Sequence, residues 1–193
     1  MNMPDEMADY IHEPGNCTVM GDLKLVPADV RYMEEYLEFI ADCRDDIINT
    51  GFDSVIPLSS RETAKADIKR LCDIHAGKNL PANWVPASTY WLVDSANRII
   101  GTVNIRHRLN ERLEFRGGHI SYYIRPSERN KGYGTRLLSL ALNLCRSLGI
   151  NKVLITCKKD NLPSKRVIEK NGGVFISEGA DGADTIQRYM IYL

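Results

Sequence analysis

One short segment constrains the fold more than any other part of the chain: a β-rich run ends in an arginine and two spaced glycines, and a helix-forming run follows at once. It spans residues 124–135, with Arg129, Gly132 and Gly134 in the order Arg-x-x-Gly-x-Gly. A strand that leads directly into a helix leaves free backbone N–H groups at the positive end of the helix. Glycines let a ligand approach that backbone closely. The segment, residues 129–135 of which we call the glycine turn, therefore predicts an anion site suited to a diphosphate.

The glycine turn excludes two common nucleotide sites. It lacks the Gly-x-Gly-x-x-Gly order of the dinucleotide fingerprint, and it lacks the Gly-Lys-Ser/Thr ending of a P-loop. Taken alone, the pattern also fits a turn between strand and helix that is merely rich in glycine. Its meaning therefore depends on the rest of the chain.

Hydrophobic periodicity and turn residues predict a mixed α/β fold in which one sheet is covered by helices. The expected order is β-α-α-β-β-β-α-β-α-β-β. The corresponding segments are 18–26, 28–48, 60–75, 88–93, 98–106, 118–125, 135–148, 152–157, 163–171, 174–177 and 185–192. Residues 1–16 are expected to form an N-terminal tail, and residues 17–193 a single domain.

Charge is distributed unevenly along a chain whose formal net charge is zero. Residues 1–50 carry twelve acids and three bases, a net charge of −9, whereas residues 125–170 carry eleven bases and three acids, a net charge of +8. The basic block surrounds the glycine turn, as a phosphate-rich ligand requires, although solvated helix faces would give the same pattern. Nucleic acid is not expected, because no aromatic interleaving or helix-turn-helix pattern accompanies the basic block.

Composition indicates a cytoplasmic protein. No apolar run approaches the roughly 20 residues of a membrane helix, and the acidic start lacks the pattern of a secretory signal. The five cysteines are scattered and never form a C-x-x-C pair, so neither a disulfide framework nor a metal site is expected.

A second motif follows the predicted strand 152–157: Asn161-Leu-Pro-Ser164-Lys165, then a short helix and Gly172-Gly173. Together, the two motifs and the element order resemble the GNAT superfamily of acyl-CoA N-acyltransferases over nearly the whole chain. The resemblance implies acetyl-CoA as co-substrate, with Asn161 on the pantetheine arm, Ser164 in the same groove and Lys165 near the nucleotide. The cofactor-binding residues that it implies are Tyr123, Ile124, Arg129, Asn130, Lys131, Gly132, Tyr133, Gly134, Thr135, Asn161, Ser164 and Lys165.

Three further segments are similar to a bacterial GNAT subgroup whose acceptor has not been assigned. They are Arg106-His107-Arg-Leu-Asn110, Gly117-Gly-His-Ile120 and Arg125-Pro-Ser-Glu-Arg129. The resemblance implies transfer to a primary amine of a small molecule or peptide. It leaves the oligomeric state open, with a homodimer as one option.

Acetyl transfer needs a neutral amine and a donor for the developing oxyanion. The resemblance implies a main-chain N–H of the segment Tyr123–Arg125 as that donor, with Ile124 as the first choice. His119 is the first candidate for the general base, since its ordinary pKa near 6.5 suits the role. Glu114 is the second candidate, acting through water. A strand-capping role for His119 and a solvated position for Glu114 are the plain alternatives, and His107 can shape either the acceptor pocket or a turn.

The general acid is where the chain departs from the family pattern. Many GNAT enzymes have a tyrosine seven residues after the asparagine of the second motif, but here that position is Ile168, which cannot donate a proton. Tyr122, Tyr123 and Tyr133 are possible substitutes, and Cys157 is expected to be an apolar filler. Direct attack, with the thiolate lost to solvent, is the simplest mechanism left. A non-catalytic acyl-CoA binding or sensing domain is the alternative function.

The first predicted helix offers a weak indication of the acceptor. Its acids can favour a cationic amine, or they can form a solvated face. They are Glu34, Glu35, Glu38, Asp42, Asp45 and Asp46.

Overall fold

The computed structural model describes residues 18–50 and 56–193, so the predicted tail at 1–16 lies outside the described residues. The helices of the described part are α1 (Met33–Thr50), α2 (Ala64–His75), α3 (Glu111–Phe115), α4 (Tyr133–Ser147) and α5 (Leu162–Lys170). The strands are β1 (Thr18–Met20), β2 (Leu23–Pro27), β3 (Ala87–Val93), β4 (Ile99–Arg106), β5 (Ile120–Ile124), β6 (Lys152–Lys158), β7 (Val174–Asp181) and β8 (Asp184–Tyr192). Single 3-10 turns at Val30–Tyr32 and Pro126–Glu128 precede α1 and the glycine turn.

Two local features differ from the sequence-based expectation. The strand expected at 18–26 is a hairpin, because the chain reverses at Gly21 and Asp22 so that Met20 pairs with Leu23. The short helix α3 was not expected. It begins because the Asn110 side chain accepts a hydrogen bond of 3.0 Å from the amide of Leu113, which satisfies one free donor at the helix start.

The layered α/β arrangement is as expected, but the strands form two sheets instead of one. The first sheet has the order β1-β2-β3-β4-β5, and the second has the order β6-β8-β7. Every paired strand of the described residues is antiparallel to its neighbour. The β-structure is therefore interrupted between β5 and β6, the strands on either side of α4.

Helices cover both faces of the five-stranded sheet. The apolar stripe of α4 packs on one face, where Leu137 and Leu138 join Val103 and Ile105 in one buried cluster. Helices α1 and α2 pack on the other face, where the ring of Tyr36 stacks on that of Trp91 at 4.9 Å. Among the helices of the described residues, none has the length and apolarity that crossing a membrane requires.

Three hydrogen bonds join the two sheets where β5 begins, and we call this region the sheet junction. The amide of His119 donates to the Leu154 carbonyl at 2.7 Å, and the amide of Leu154 donates to His119 Nδ1 at 3.0 Å. The amide of Gly117 donates to Thr156 Oγ1 at 2.9 Å. Gly118 lies so close to β6 that a Cβ there would be 2.4 Å from the Leu154 carbonyl oxygen. Beyond the junction, β5 and β6 form no ladder within the described chain.

Candidate functional site

The glycine turn forms the N-terminal end of α4, with its backbone groups free. Asn130 and Gly132 have left-handed φ values of 62° and 83°, and these two reversals bring the chain from β5 into the helix. Within the described residues, the amides of 130–135 have no acceptor. Arg136 is the first residue whose amide donates back into the helix, to the Gly132 carbonyl. The result is a row of unpaired donors at a positive helix end, which is the predicted anion site.

The second motif lies beside the first. Asn161 caps α5, because its Oδ1 accepts a hydrogen bond of 3.1 Å from the Ser164 amide. The Asn171 side chain at the other end of α5 donates to the Thr135 carbonyl at 3.2 Å, which holds α5 against α4. A Cβ at Gly134 would be 3.3 Å from Val167, so the absence of a side chain there allows the close approach. The fold thus brings the two predicted motifs together.

Arg129 is held by helix α1 and does not extend freely from the turn. Its guanidinium pairs with Asp46 at 2.5 Å, its Nε donates to the Ile124 carbonyl at 3.1 Å, and it lies 5.2 Å from the centre of the Tyr123 ring. The Tyr123 hydroxyl also donates to Asp46, at 2.7 Å. Arg129 and Asp46 hold each other's pKa away from the ordinary values, upward for the guanidinium and downward for the carboxyl. The side chains of Tyr123 and Arg129 therefore fix the turn to the sheet.

Asp42, one helical turn before Asp46, also pairs with an arginine of the basic block. It accepts a hydrogen bond of 2.7 Å from Arg125 Nε. The sequence offered two readings of the α1 acids, an acceptor surface or a solvated face. Asp42 and Asp46 instead pair with the basic block across a separation of 83 residues. Sequence reasoning missed this role, although their i, i+4 spacing on one helix face was visible.

The two predicted lysines lie on the two helix starts. Lys131 forms an ion pair of 3.0 Å with Glu128, and Lys165 lies 3.9 Å from Glu169. The long Lys165 pair is weak, and Lys131 is exposed while its partner Glu128 is buried and also pairs with Arg98 at 3.1 Å. Both lysines add positive charge next to the free amides of the turn.

The backbone of β5 presents a further donor at the interruption between the sheets. The amide of Arg125 donates to Ile100, and the carbonyl of His119 accepts from Arg106, so alternate residues of β5 bond to β4. The alternation of an antiparallel ladder therefore directs the N–H of Ile124 away from β4, toward the side that has no partner strand. This is the N–H for which an oxyanion role was predicted.

Tyr122 also faces this side of the site. Its hydroxyl lies 2.9 Å from Ser164 Oγ at the start of α5, and burial raises its pKa to about 12. Burial raises the pKa of the nearby Cys157 to about 11, so that side chain is a neutral thiol near pH 7. Ile168 is fully buried and has no hydroxyl, so it cannot protonate the leaving thiolate as the tyrosine of many GNAT enzymes does. Of the three substitute tyrosines, Tyr123 is bonded to Asp46, and Tyr133 packs on the core.

His119 and Glu114, the two predicted base residues, have different surroundings. In the neutral ring of His119, Nδ1 accepts the Leu154 N–H, so the proton lies on Nε2. Burial lowers the pKa of this ring. Base catalysis by His119 would therefore require the Leu154 hydrogen bond to open. Glu114 is exposed on α3.

Two histidines lie within hydrogen-bond distance of one serine, at the end of the first sheet where Arg106 bonds to His119. His75 Nδ1 and His107 Nε2 each lie 2.7 Å from Ser88 Oγ, and Ser88 is buried. A hydroxyl has one proton and two acceptor lone pairs, so Ser88 can donate to only one of the rings and at least one ring donates to it. His107, left open by the sequence, is therefore part of a hydrogen-bonded chain that joins α2, β3 and the end of β4.

The model of the acetyltransferase (GNAT) domain family matches residues 23–174. The chain belongs to this family, and it is an acetyltransferase by family. Comparison with curated protein sequences found no match.

Solved structures of the same fold are similar over nearly their whole length. RimL, a ribosomal L7/L12 alpha-N-protein acetyltransferase solved with coenzyme A, is 15% identical with a TM-score of 0.68, covering 92% of this chain and 98% of that chain. The ribosomal-protein-S5-alanine acetyltransferase of Vibrio fischeri is 14% identical with a TM-score of 0.69, covering 91% and 96%. The microcin C7 self-immunity acetyltransferase MccE, solved with acetyl-CoA and AMP, is 15% identical with a TM-score of 0.68, covering 93% and 97%.

Proposed function

We propose that this protein is an acetyl-CoA-dependent N-acetyltransferase that acetylates a primary amine of a small molecule or peptide by direct attack in a ternary complex. The observation that carries the proposal is the row of acceptor-free amides at residues 130–135, next to the start of α5. Hydrogen bonds to a charged group contribute roughly 1.5–3 kcal/mol each, so a few of them would hold a diphosphate well. The predicted roles of Asn161, Ser164 and Lys165 along the rest of the co-substrate agree with their position at the start of α5.

The chain supplies groups for the two charges that develop in the reaction. The N–H of Ile124 would stabilise the oxyanion, since it has no partner strand to bond. The hydroxyls of Tyr122 and Ser164 would stabilise the leaving sulfur. Full proton transfer from Tyr122 is uphill, because its pKa of about 12 exceeds that of a free thiol, about 8.5. Tyr122 would therefore act as a hydrogen-bond donor to the thiolate, which then leaves to solvent.

The site favours an amine that is easily neutralised. Removing a proton from a lysine-like amine of pKa near 10.4 costs roughly 4–5 kcal/mol at pH 7, whereas an α-amino group with a pKa near 8 costs about 1–1.5 kcal/mol. His119 would act as base only when it releases Leu154, and Glu114 would act through water. An α-amino acceptor places the smaller demand on both. The α-amino chemistry stated for RimL, a protein of the same fold, agrees with this choice.

A non-catalytic acyl-CoA sensor is the second candidate, because Ile168 fills the tyrosine position with a buried apolar side chain. Release of coenzyme A thiol from acetyl-CoA, measured across a panel of amines, separates the two functions. Saturable turnover supports the enzyme. Tight binding of coenzyme A without turnover on any amine supports the sensor.

A further inference from the structure

Arg106 is a partly buried arginine that has no acidic partner among the described residues. Its Nη1 donates to the carbonyls of Gly117 and Gly118 at 3.3 and 3.0 Å, which places the guanidinium against the sheet junction. No carboxylate in the described ranges 18–50 and 56–193 forms an ion pair with it. An arginine has five N–H donors, and those on Nε and Nη2 of Arg106 have no acceptor in that part of the chain, where they stay open to water.

Arg125 differs from Arg106 in that it has an acidic partner. Arg125 is also buried, and it pairs with Asp42 while donating to the Ile99 carbonyl. A charge removed from water costs several kcal/mol unless an opposite charge accompanies it. Arg106 has no such acidic partner among the described residues, and its partial desolvation lowers its pKa to about 10. An anion at Arg106 would provide the opposite charge.

His119 adds a donor on the same side of the sheet. Arg106 and His119 are cross-strand neighbours, since the amide of Arg106 donates to the His119 carbonyl at 2.8 Å. Side chains of directly opposed residues lie on the same face. Because Nδ1 of His119 accepts from Leu154, Nε2 presents an N–H, and it has no acceptor in the described chain. The end of β5 opposite the glycine turn therefore offers two sets of unused side-chain donors among the described residues, those of Arg106 and that of His119, and the first is charged.

Within the described chain, three of the six α1 acids that would favour a cationic acceptor are already paired, and Glu35, Glu38 and Asp45 are not among them. Asp42 and Asp46 are paired with Arg125 and Arg129, and Glu34 is paired with Arg61. We infer that the acceptor amine also carries an oxyanion, a carboxylate or a phosphate, which the guanidinium of Arg106 and the Nε2–H of His119 bind. This inference rests on the proposed N-acetyltransferase activity and names the class of its acceptor.

The test compares acceptors with and without an anionic group, with each rate expressed per neutral amine because the amine pKa also changes within a set. Serine, serinamide, ethanolamine and phosphoethanolamine form one set, and phenylalanine, phenylalaninamide and phenethylamine form a larger one. Each is assayed for thiol release with the wild type, Arg106→Met and Arg106→Lys. The matched control is Arg108→Met, because Arg108 is exposed two residues further along.

The wild type should favour the carboxylate or phosphate member of a set by about tenfold to a hundredfold in kcat/KM, the range expected for hydrogen bonds to a charged group. Arg106→Met should remove that preference, and the readout is the ratio of kcat/KM between the charged and neutral members, whatever the basal rate of the variant. Arg108→Met should keep the preference. The carboxylate and phosphate arms identify which oxyanion is bound.

Equal rates on charged and neutral members would overturn the inference and leave the proposed function standing. An equal loss on both members in Arg106→Met would do the same, since it would mean that Arg106 only supports the Gly117–Gly118 backbone. If no amine is acetylated, the proposed function fails, and calorimetric titration of phosphoethanolamine and serine in the presence of coenzyme A decides the inference. Binding about tenfold weaker in Arg106→Met upholds it, and unchanged binding or none rejects it.

Discussion

Nδ1 of His119 accepts a hydrogen bond of 3.0 Å from the amide of Leu154, and this contact links the two sheets where their strands separate. Only an unprotonated Nδ1 can accept it. Protonation of His119 Nδ1 would therefore break one of the three hydrogen bonds of the sheet junction.

We predict that stability falls with pH below about 6.5, the ordinary histidine value. Burial lowers the pKa of His119, so the unfolded chain takes up a proton at a pH where the folded chain resists it. The contribution is complete above pH 6.5 and declines as pH falls toward the lower pKa of the folded state. Urea unfolding from pH 8 to 5 measures this.

His119→Gln should have a shallower pH dependence than the wild type in that range. His107→Gln serves as the comparison, because burial also lowers the pKa of His107 and removes a separate share of the slope. An unchanged slope in His119→Gln would contradict the role given to the Leu154 contact.

A second prediction concerns the backbone of the sheet junction. Gly118 and Gly182 have nearly the same φ, 62° and 60°, but a Cβ at Gly118 would meet the Leu154 oxygen at 2.4 Å, whereas one at Gly182 would meet nothing within 4 Å. Both alanine variants incur left-handed strain of about 1–2 kcal/mol. Gly118→Ala should lose about 1–3 kcal/mol more in free energy of unfolding, because the strands must move apart. Equal losses would show that the junction tolerates separation.

The two ends of α4 provide a matched test of the glycine turn. Gly132 has a φ of 83° and Gly149 a φ of 74°, and a Cβ at either would meet open space. Alanine at each position should therefore lower the free energy of unfolding by a similar amount, about 1–2 kcal/mol. Only Gly132→Ala should weaken coenzyme A binding, measured by calorimetry, because only that glycine shapes the free amides. Equal effects on binding would remove the turn from the cofactor site.

The link between α1 and the turn can be tested with neighbouring acids. Asp46 pairs with Arg129, while Asp45 is exposed beside it. A double-mutant cycle of Asp46→Asn with Arg129→Gln should give a coupling of about 0.5–1 kcal/mol, since both side chains remain partly solvated. The same cycle with Asp45→Asn should give none. Loss of the coupling at high salt would confirm its electrostatic origin.

In the proposed mechanism, the hydroxyl of Tyr122 stabilises the leaving sulfur. Tyr122→Phe should lower kcat about tenfold and leave the KM of acetyl-CoA nearly unchanged, since the hydroxyl acts on charge that develops during the reaction. Tyr192→Phe, at an exposed position, is the control. Ser164→Ala in the Tyr122→Phe background should add little, because the two hydroxyls act as one unit.

The sequence predicted what is local. The glycine turn and the stripe of α4 follow from residues within one or two turns of each other, and both were expected, whereas the capping role of Asn161 was not. Long-range partners were not accessible. Neither the pairing of Asp46 with Arg129 nor that of His119 with Leu154 is encoded in spacing, because each depends on how separate layers dock. The interruption between β5 and β6 was missed for the same reason, and α3 was missed because five residues show no periodicity.

Ile168 occupies the family's tyrosine position, and it is packed against Gly173: a Cβ at Gly173 would be 2.3 Å from Ile168 Cγ2 and 2.9 Å from the Ile168 carbonyl oxygen. Ile168 therefore leaves no room for a side chain at position 173, and the glycine at 173 makes room for Ile168. A single substitution to tyrosine would place a larger, polar group into a site fitted to a branched aliphatic one. Introducing a tyrosine donor at 168 would require changes at 173 as well, so faster turnover is more directly sought through the hydroxyls of Tyr122 and Ser164.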